Sequence, residues 1–282
     1  MSSYKSFAVI GAGAIGLPIA GALAVAKDVS VVLLSRPGSS AKTVPSSVKV
    51  VQVDYNDAAA VAAVFKEHKV DVVLSTITTA ASAAQKSLVD AAKLAAVKLF
   101  VPSEYGLPTE GYNDGPMGEK NQIAAYLKSS GIPSTRIFVG LFTEYIPWLV
   151  DYSNGGKIKV VGNSEAPLSF TSVPDIAGFV AYVLTNLPSS ELEDRILRLE
   201  GDRSSFNGIA TQFKTSIEHV DSITGEAGEI KTSLQRKMNV GAGSTGWDAV
   251  KNAEGTGSNA AGSANALWPG HQWKSIKEVH NL

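Results

Sequence analysis

Cysteine is absent from the 282 residues, which removes disulfides, thiol nucleophiles and cysteine-ligated zinc. Histidine is scarce. The four (His68, His219, His271 and His280) are scattered without H-x-x-x-H or related spacing, so no metal site is expected and each is read as a surface or capping residue. No G-x-S-x-G elbow occurs, which disfavours a Ser/His/Asp hydrolase. An excess of one charge is also missing: 25 Lys and Arg face 26 Asp and Glu, a net charge of −1 with no run of one sign. Neither nucleic acid nor an acidic membrane is an expected partner. The uncharged stretch Phe7–Ala26 after Lys5 has the look of a signal sequence or membrane span, but Gly11, Gly13, Gly16, Pro18 and Gly21 interrupt it. A strand, a turn and a helix explain those spacings better, and the cytosol is the default compartment.

What the sequence has instead is rhythm. Short apolar runs at 7–10, 29–34, 48–53, 70–75, 99–102 and 134–139 alternate with helical stretches at 15–26, 58–67, 80–95 and 120–130. Runs that are apolar throughout fit parallel strands buried on both faces, and their alternation with helices predicts a doubly wound α/β sheet. Beyond residue 140 the rhythm changes. A short aromatic helix is expected over 142–150, a strand over 157–161, and a helix over 175–185 with Pro174 and Asp175 serving its start. A returning strand is expected over 196–199, and a helix over 205–213 capped by Ser204 or Ser205. The Gly, Ser, Ala and Asn-rich stretch 241–266 reads as a long loop able to close over a site. Residues 1–140 are thus expected to form a dinucleotide-binding domain, and 141–282 mainly a smaller substrate lobe with part of the chain returning to the sheet.

The first strand runs directly into Gly11-Ala12-Gly13-Ala14-Ile15-Gly16 at the mouth of a helix. In G-x-G-x-x-G the first glycine permits the tight turn and the second lets the backbone approach a pyrophosphate. The third lets helix and strand pack closely, while the helix N-terminus offers N–H donors. An NAD site carries an acid about 20 residues further on, at the end of the second strand. Here that strand ends Leu33-Leu34-Ser35-Arg36. Arg36 suits a 2′-phosphate through its planar fork, with Ser35 and Lys42 as helpers, so NADP(H) is the expected cofactor. Ser75 and Thr76, and Ser103, Glu104 and Tyr105, end later strands at the same carboxyl edge. The serines and Thr76 are candidate cofactor contacts, with helix capping the alternative for Ser75 and Thr76. Glu104 is expected to accept backbone donors, with the orienting of a neighbour the alternative. Tyr105, Tyr112, Phe142 and Trp148 are candidates for an apolar pocket, with core packing the alternative for the last two.

No tyrosine has lysine four positions later, so the catalytic pair of a conventional short-chain dehydrogenase is missing. The segments QKSLVDAA (85–92), VKLFVPSEYG (97–106), GIPST (131–135), GLF (140–142) and FTSVPDIA (170–177), with Lys120 between them, resemble the isoflavone reductase-like and NmrA-like group of atypical short-chain dehydrogenases. The resemblance runs from about residue 7 to 206, with a looser echo at LWPG (267–270). It implies a Rossmann lobe, a smaller C-terminal lobe with the substrate in the cleft, and a lysine near the nicotinamide, for which Lys120 is the matching position. Phe142, within the GLF segment, is a candidate contact for both cofactor and substrate. An ammonium there would stabilise a developing oxyanion and deliver a proton. The chain departs from the plant reductases in lacking Thr before the second glycine and in having Ser134 where they carry Tyr. An NADPH-dependent reductase of a small apolar, aromatic or conjugated molecule is the leading expectation. A non-catalytic NmrA-like sensor of NADP(H) is the alternative. A Rossmann transferase using another nucleotide fits the glycine turn but not Arg36.

Overall fold

In a computed structural model the alternating pattern becomes alternating structure. The structure describes residues 4–40, 43–78, 81, 83–153 and 156–282. The chain divides into two compact units, one comprising Met1–Glu104, Gly111–Ile137 and Ile176–Leu197, the other Tyr105–Glu110, Phe138–Asp175 and Arg198–Leu282.

The first unit is built on β1 (Ser6–Ile10), α1 (Gly16–Ala24), β2 (Ser30–Ser35), β3 (Val48–Gln52), α2 (Ala58–Glu67), β4 (Val72–Ser75), α3 (Ala84–Leu94) and β5 (Leu99–Val101). The strands lie in the order β3-β2-β1-β4-β5, each neighbouring pair parallel. All of β1 and β4 is buried, as double-sided cover requires. Strand β3 departs from the expected two-sided burial because it is the sheet's edge, and Lys49, Val50 and Gln52 are exposed there. Val32, Leu34, Val61, Phe65, Val73, Leu88, Val89 and Phe100 pack into one core. Strand order reverses at β1, so β1 and β4 open a crevice at their carboxyl ends, where ligands of such sheets bind.

Helix α4 (Gly115–Ser130) begins five residues before the expected start. Pro116 occupies its first turn, where a missing N–H costs nothing, and Gly131, in the left-handed region at φ 71°, ends it. Lys120 therefore sits in the second turn rather than the first. Strand β6 (Thr135–Phe138) follows, and a parallel bridge from Ser134 to Phe100 sets its start beside β5. The strand Arg195–Arg198 pairs with β6 in turn.

The second unit has its own core of Ile146, Leu149, Val150, Ile158, Val160, Leu168, Phe170, Phe206, Ile209, Met238 and Ile276. The expected aromatic helix is a 3-10 turn, Thr143–Tyr145, leading into the short helix Ile146–Leu149. Leu168–Thr171 pairs antiparallel with Asp202–Ser204 and parallel with Leu141–Phe142. Ser205 caps the helix Phe206–Gln212 by accepting from the Gly208 N–H. The stretch 241–266 is irregular but well bonded. Ser244 and Thr245 are buried, Arg198 Nη1 donates to the Thr245 carbonyl at 2.8 Å, and Trp247–Asp248 pairs with Ala253–Glu254. These contacts tie the segment into its unit, which does not match a free lid.

Asp175 does more than start a helix. Its carboxylate pairs with His271 Nε2 at 2.9 Å and accepts from the Lys274 N–H at 2.9 Å, while Ser172 Oγ accepts the Asp175 N–H. His271 also stacks on Trp268, with ring centroids 3.6 Å apart. It is a structural partner, where a surface or capping residue was expected. His280 likewise bonds the Thr143 carbonyl through Nε2 at 2.8 Å.

Candidate functional site

In the first unit the glycine turn and the ends of β2 and β4 form a cavity of about 290 Å³. Gly11 has φ 103°, a conformation that excludes ordinary side chains. Its N–H donates to the Leu34 carbonyl, and Thr76 N–H to the Ile10 carbonyl. The Thr76 hydroxyl lies 2.9 Å from the Ile10 carbonyl oxygen and 3.0 Å from that of Gly11, so it braces the turn rather than capping a helix. A Cβ on Gly16 would stand 1.9 Å from the Gly11 oxygen. The third glycine is thus a packing requirement between helix and turn. At Gly13 a Cβ would meet nothing within 4 Å, because that position faces open space.

Gly11, Gly13, Ser35, Arg36 and Thr76 line this cavity together. Ala14 is exposed and Ile15 is buried as the residue before α1; neither is part of the lining. Lys42 lies outside the described residues. Sequence reasoning missed Ser39, Ser40 and Tyr55. Tyr55 donates to the Leu34 carbonyl at 2.8 Å, and burial pushes its phenol up to about 12 against the pull of the Arg36 charge. It fixes the end of β2 from which Arg36 projects. Ser75 is buried, and its hydroxyl has no partner among the described residues.

Ser103 belongs to a different task from the cofactor contact expected of it. Its hydroxyl donates to the Ile77 carbonyl at 2.7 Å and its N–H to Gln85 Oε1 at 2.9 Å, all buried. Ile77 is a wall of the cavity. The next residue, Glu104, accepts Lys120 Nζ on its main-chain oxygen at 2.9 Å. Continuous contacts therefore run from the cavity wall through Ser103 and Glu104 to Lys120. The Glu104 carboxylate pairs with Arg136 Nε at 2.8 Å, with side-chain exposures of 1% and 11%. This is an ion pair, where acceptance of backbone donors was expected. Burial holds the Lys120 ammonium below the usual lysine range, and the Glu104 charge opposes that shift.

In the second unit Tyr105, Gly140, Leu141, Phe142, Tyr145, Trp148, Leu149 and Leu234 line a cavity of about 310 Å³. Trp148 and Tyr145 are 39% and 44% exposed, which rules against simple core packing for Trp148. Phe142 meets Tyr145 edge-on at 5.7 Å. Phe142 thus lines the apolar cavity; the lining of the glycine-turn cavity does not include it. Tyr105 has φ 30°, is buried, and its hydroxyl has no partner among the described residues. Tyr112 belongs to the first unit and is not part of this lining; its carbonyl accepts from Asn121 Nδ2 at 3.1 Å. A more open cavity of about 630 Å³ between Ser222 and Val240 involves none of the candidate residues. Among the described residues no group of His, Asp and Glu is placed to hold a metal, and no helix is long and apolar enough to cross a membrane.

The NmrA-like family model matches residues 3–278 of this chain. The chain belongs to the NmrA-like family. Among relatives within or near the family, Oxidoreductase BOA1 of Botryotinia fuckeliana is 30% identical over 234 residues, covering 77% of this chain and 74% of the relative. Phenylcoumaran benzylic ether reductase IRL1 of Ginkgo biloba is 26% identical, covering 61% of this chain and 59% of its own. Among solved structures, the leucoanthocyanidin reductase–NADPH complex from Vitis vinifera superposes with a TM-score of 0.79 at 19% identity, covering 98% of each chain. At that identity the likeness speaks for the fold, and an NmrA-like chain with a parallel Rossmann sheet is what the described strands form.

Proposed function

We propose that this NmrA-like protein is an NADPH-dependent reductase of a small apolar, aromatic or conjugated substrate. The observation that carries the reading is the glycine-turn cavity with Arg36 at its rim, joined by bonded contacts to a lysine of depressed pKa. The residues suit the dinucleotide. Gly13 leaves room for a close approach of phosphate to backbone, and Ser75 presents a buried hydroxyl at the end of β4 that has no partner among the described residues. Gly11, Gly13 and the N-terminal end of α1 would hold the pyrophosphate. Arg36, with Ser35, Ser39 and Ser40, would take the 2′-phosphate. Further support comes from the named relatives: one is an oxidoreductase, one reduces a benzylic ether, and one is bound to NADPH.

NADPH, when bound, supplies a hydride to an electrophilic carbon. Lys120, steadied by the Glu104 carbonyl, meets the negative charge growing on the substrate oxygen and gives it a proton. Its lowered pKa eases that transfer, and solvent returns the proton to the amine afterwards.

The test mixes purified protein with NADPH and a panel of enones, quinones, isoflavonoids and benzylic ethers, following the loss of NADPH absorbance. Oxidation by wild type that Lys120→Ala abolishes, with NADPH binding retained, is expected. Tight NADPH binding without oxidation of any member would instead assign the chain to the sensor class.

A further inference from the structure

We propose that Glu104 and Arg136 are positioning residues for Lys120, the glutamate anchoring the ammonium through its main-chain oxygen while the arginine takes up the glutamate's carboxylate. The inference rests on Lys120 as the proton donor of the proposed reductase. It assigns roles to two residues that the reaction itself does not touch.

A lysine beside a glutamate normally bonds the carboxylate, the stronger acceptor. Here Lys120 Nζ bonds the neutral main-chain oxygen at 2.9 Å instead. The carboxylate is engaged by Arg136 Nε at 2.8 Å, both side chains being nearly closed to solvent. The three groups come from three elements: the segment after β5, helix α4 and strand β6. One turn before and after Lys120 on α4 stand Pro116, Met117, Ile123 and Ala124, none of them charged, and the adjacent Glu119 is exposed. The charge that bears on Lys120 is the Glu104 carboxylate, which Arg136 pairs.

The arrangement solves a chemical conflict. A proton donor needs a fixed ammonium that gives up its proton readily. Pairing with a free carboxylate would fix the ammonium but hold its proton more tightly. The main-chain oxygen fixes Lys120 without adding a full charge, while the Glu104 carboxylate is paired by Arg136. The Glu104 carbonyl also belongs to the peptide leading into Tyr105, whose backbone is held at φ 30°. Strain of that kind persists where surrounding contacts enforce it.

The experiment follows the titration of Lys120 itself, without NADPH or substrate, so its outcome is separate from whether the chain is a reductase. Lysines are dimethylated with isotope-labelled formaldehyde and followed by NMR across pH, with the Lys120→Arg variant identifying the signal. Arg136→Met should raise the Lys120 midpoint by about one pH unit, and Glu104→Gln should lower it by a similar amount. The pH profile of NADPH oxidation should move in the same two directions. Each single change breaks a buried ion pair, which is strongly destabilising. The double variant Glu104→Gln/Arg136→Met removes both charges of the pair together. It should fold and titrate near the wild-type midpoint, and Arg136→Lys should restore much of what Arg136→Met loses. Shifts in the same direction, no shift in folded single variants, or a double variant displaced by a full pH unit would each overturn the proposal. Correct shifts without any NADPH oxidation would leave the geometry standing and remove only the reductase reading.

Discussion

Gly13 and Gly16 separate binding from folding, because the same methyl group meets open space at one and backbone at the other. In Gly13→Ala the new Cβ has no atom within 4 Å, and Gly13 is not in the left-handed region. Stability should hold within about 0.5 kcal/mol, or rise slightly as the unfolded chain loses freedom. The methyl occupies the space through which a pyrophosphate would approach the turn. Overpacking of this kind costs about 1–3 kcal/mol, a weakening of NADPH binding by roughly 5- to 150-fold. In Gly16→Ala the Cβ falls 1.9 Å from the Gly11 oxygen and 2.4 Å from Thr76 Oγ1, where ordinary contact begins at 3.4 Å. Relieving a deficit of about 1.5 Å (3.4 less 1.9) requires the turn or α1 to move. A loss of about 3 kcal/mol is expected, lowering the melting temperature by roughly 6–12 °C for a protein of this size. Thermal unfolding and a fluorescence titration with NADPH read both effects. Unaltered NADPH affinity in a folded Gly13→Ala protein would refute the assignment of this cavity to the pyrophosphate. A Gly16→Ala protein as stable as wild type would refute the packing argument.

Arg36→Ala should weaken NADPH binding by about 10- to 100-fold and leave NADH unaffected, since charge-assisted bonds contribute about 1.5–3 kcal/mol; equal weakening of both would take Arg36 off the 2′-phosphate. Lys120→Met probes the buried ammonium through pH. Burial lowers the folded pKa below the ordinary 10.5, with Glu104 opposing. Between that lowered value and 10.5 the unfolded chain holds more protons on this lysine, so the contribution of Lys120 to stability rises with pH through the window. The stability of Lys120→Met relative to wild type, measured by urea unfolding, should therefore fall over the same window; a difference independent of pH would contradict the shift. Tyr105→Phe removes a buried hydroxyl that has no partner among the described residues. Its stability should be unchanged or higher by up to about 1 kcal/mol, and a clear loss would show the hydroxyl to be bonded.

The parts of the site that the sequence reveals are those where the main chain does the work. The glycine turn was legible because a phosphate cradle made of N–H groups constrains where side chains are forbidden, and glycine records that position by position. The sheet was legible for a similar reason, with strands such as β1 and β4 apolar at nearly every position because both faces are covered. Even the misplaced start of α4 left a trace in Pro116, a signal that belongs to a helix's first turn. The second unit was harder to read. Leu234 reaches the apolar cavity from the helix Gly228–Lys237, whose sequence is polar on the whole and does not stand out as a core element. Side-chain partnerships leave no local signature at all. Glu104 and Arg136 stand 32 positions apart and meet only because β6 adds beside β5. Ser103 shows the limit most clearly. A serine at the end of a parallel strand has the right address for a cofactor contact, yet its hydroxyl is spent on the Ile77 carbonyl. That bond holds the wall of the glycine cavity against the residue that anchors Lys120. A change at Ser103 would therefore disturb both the cavity and the lysine without touching the dinucleotide, and it would mimic the loss of a cofactor contact in any assay that reads turnover alone.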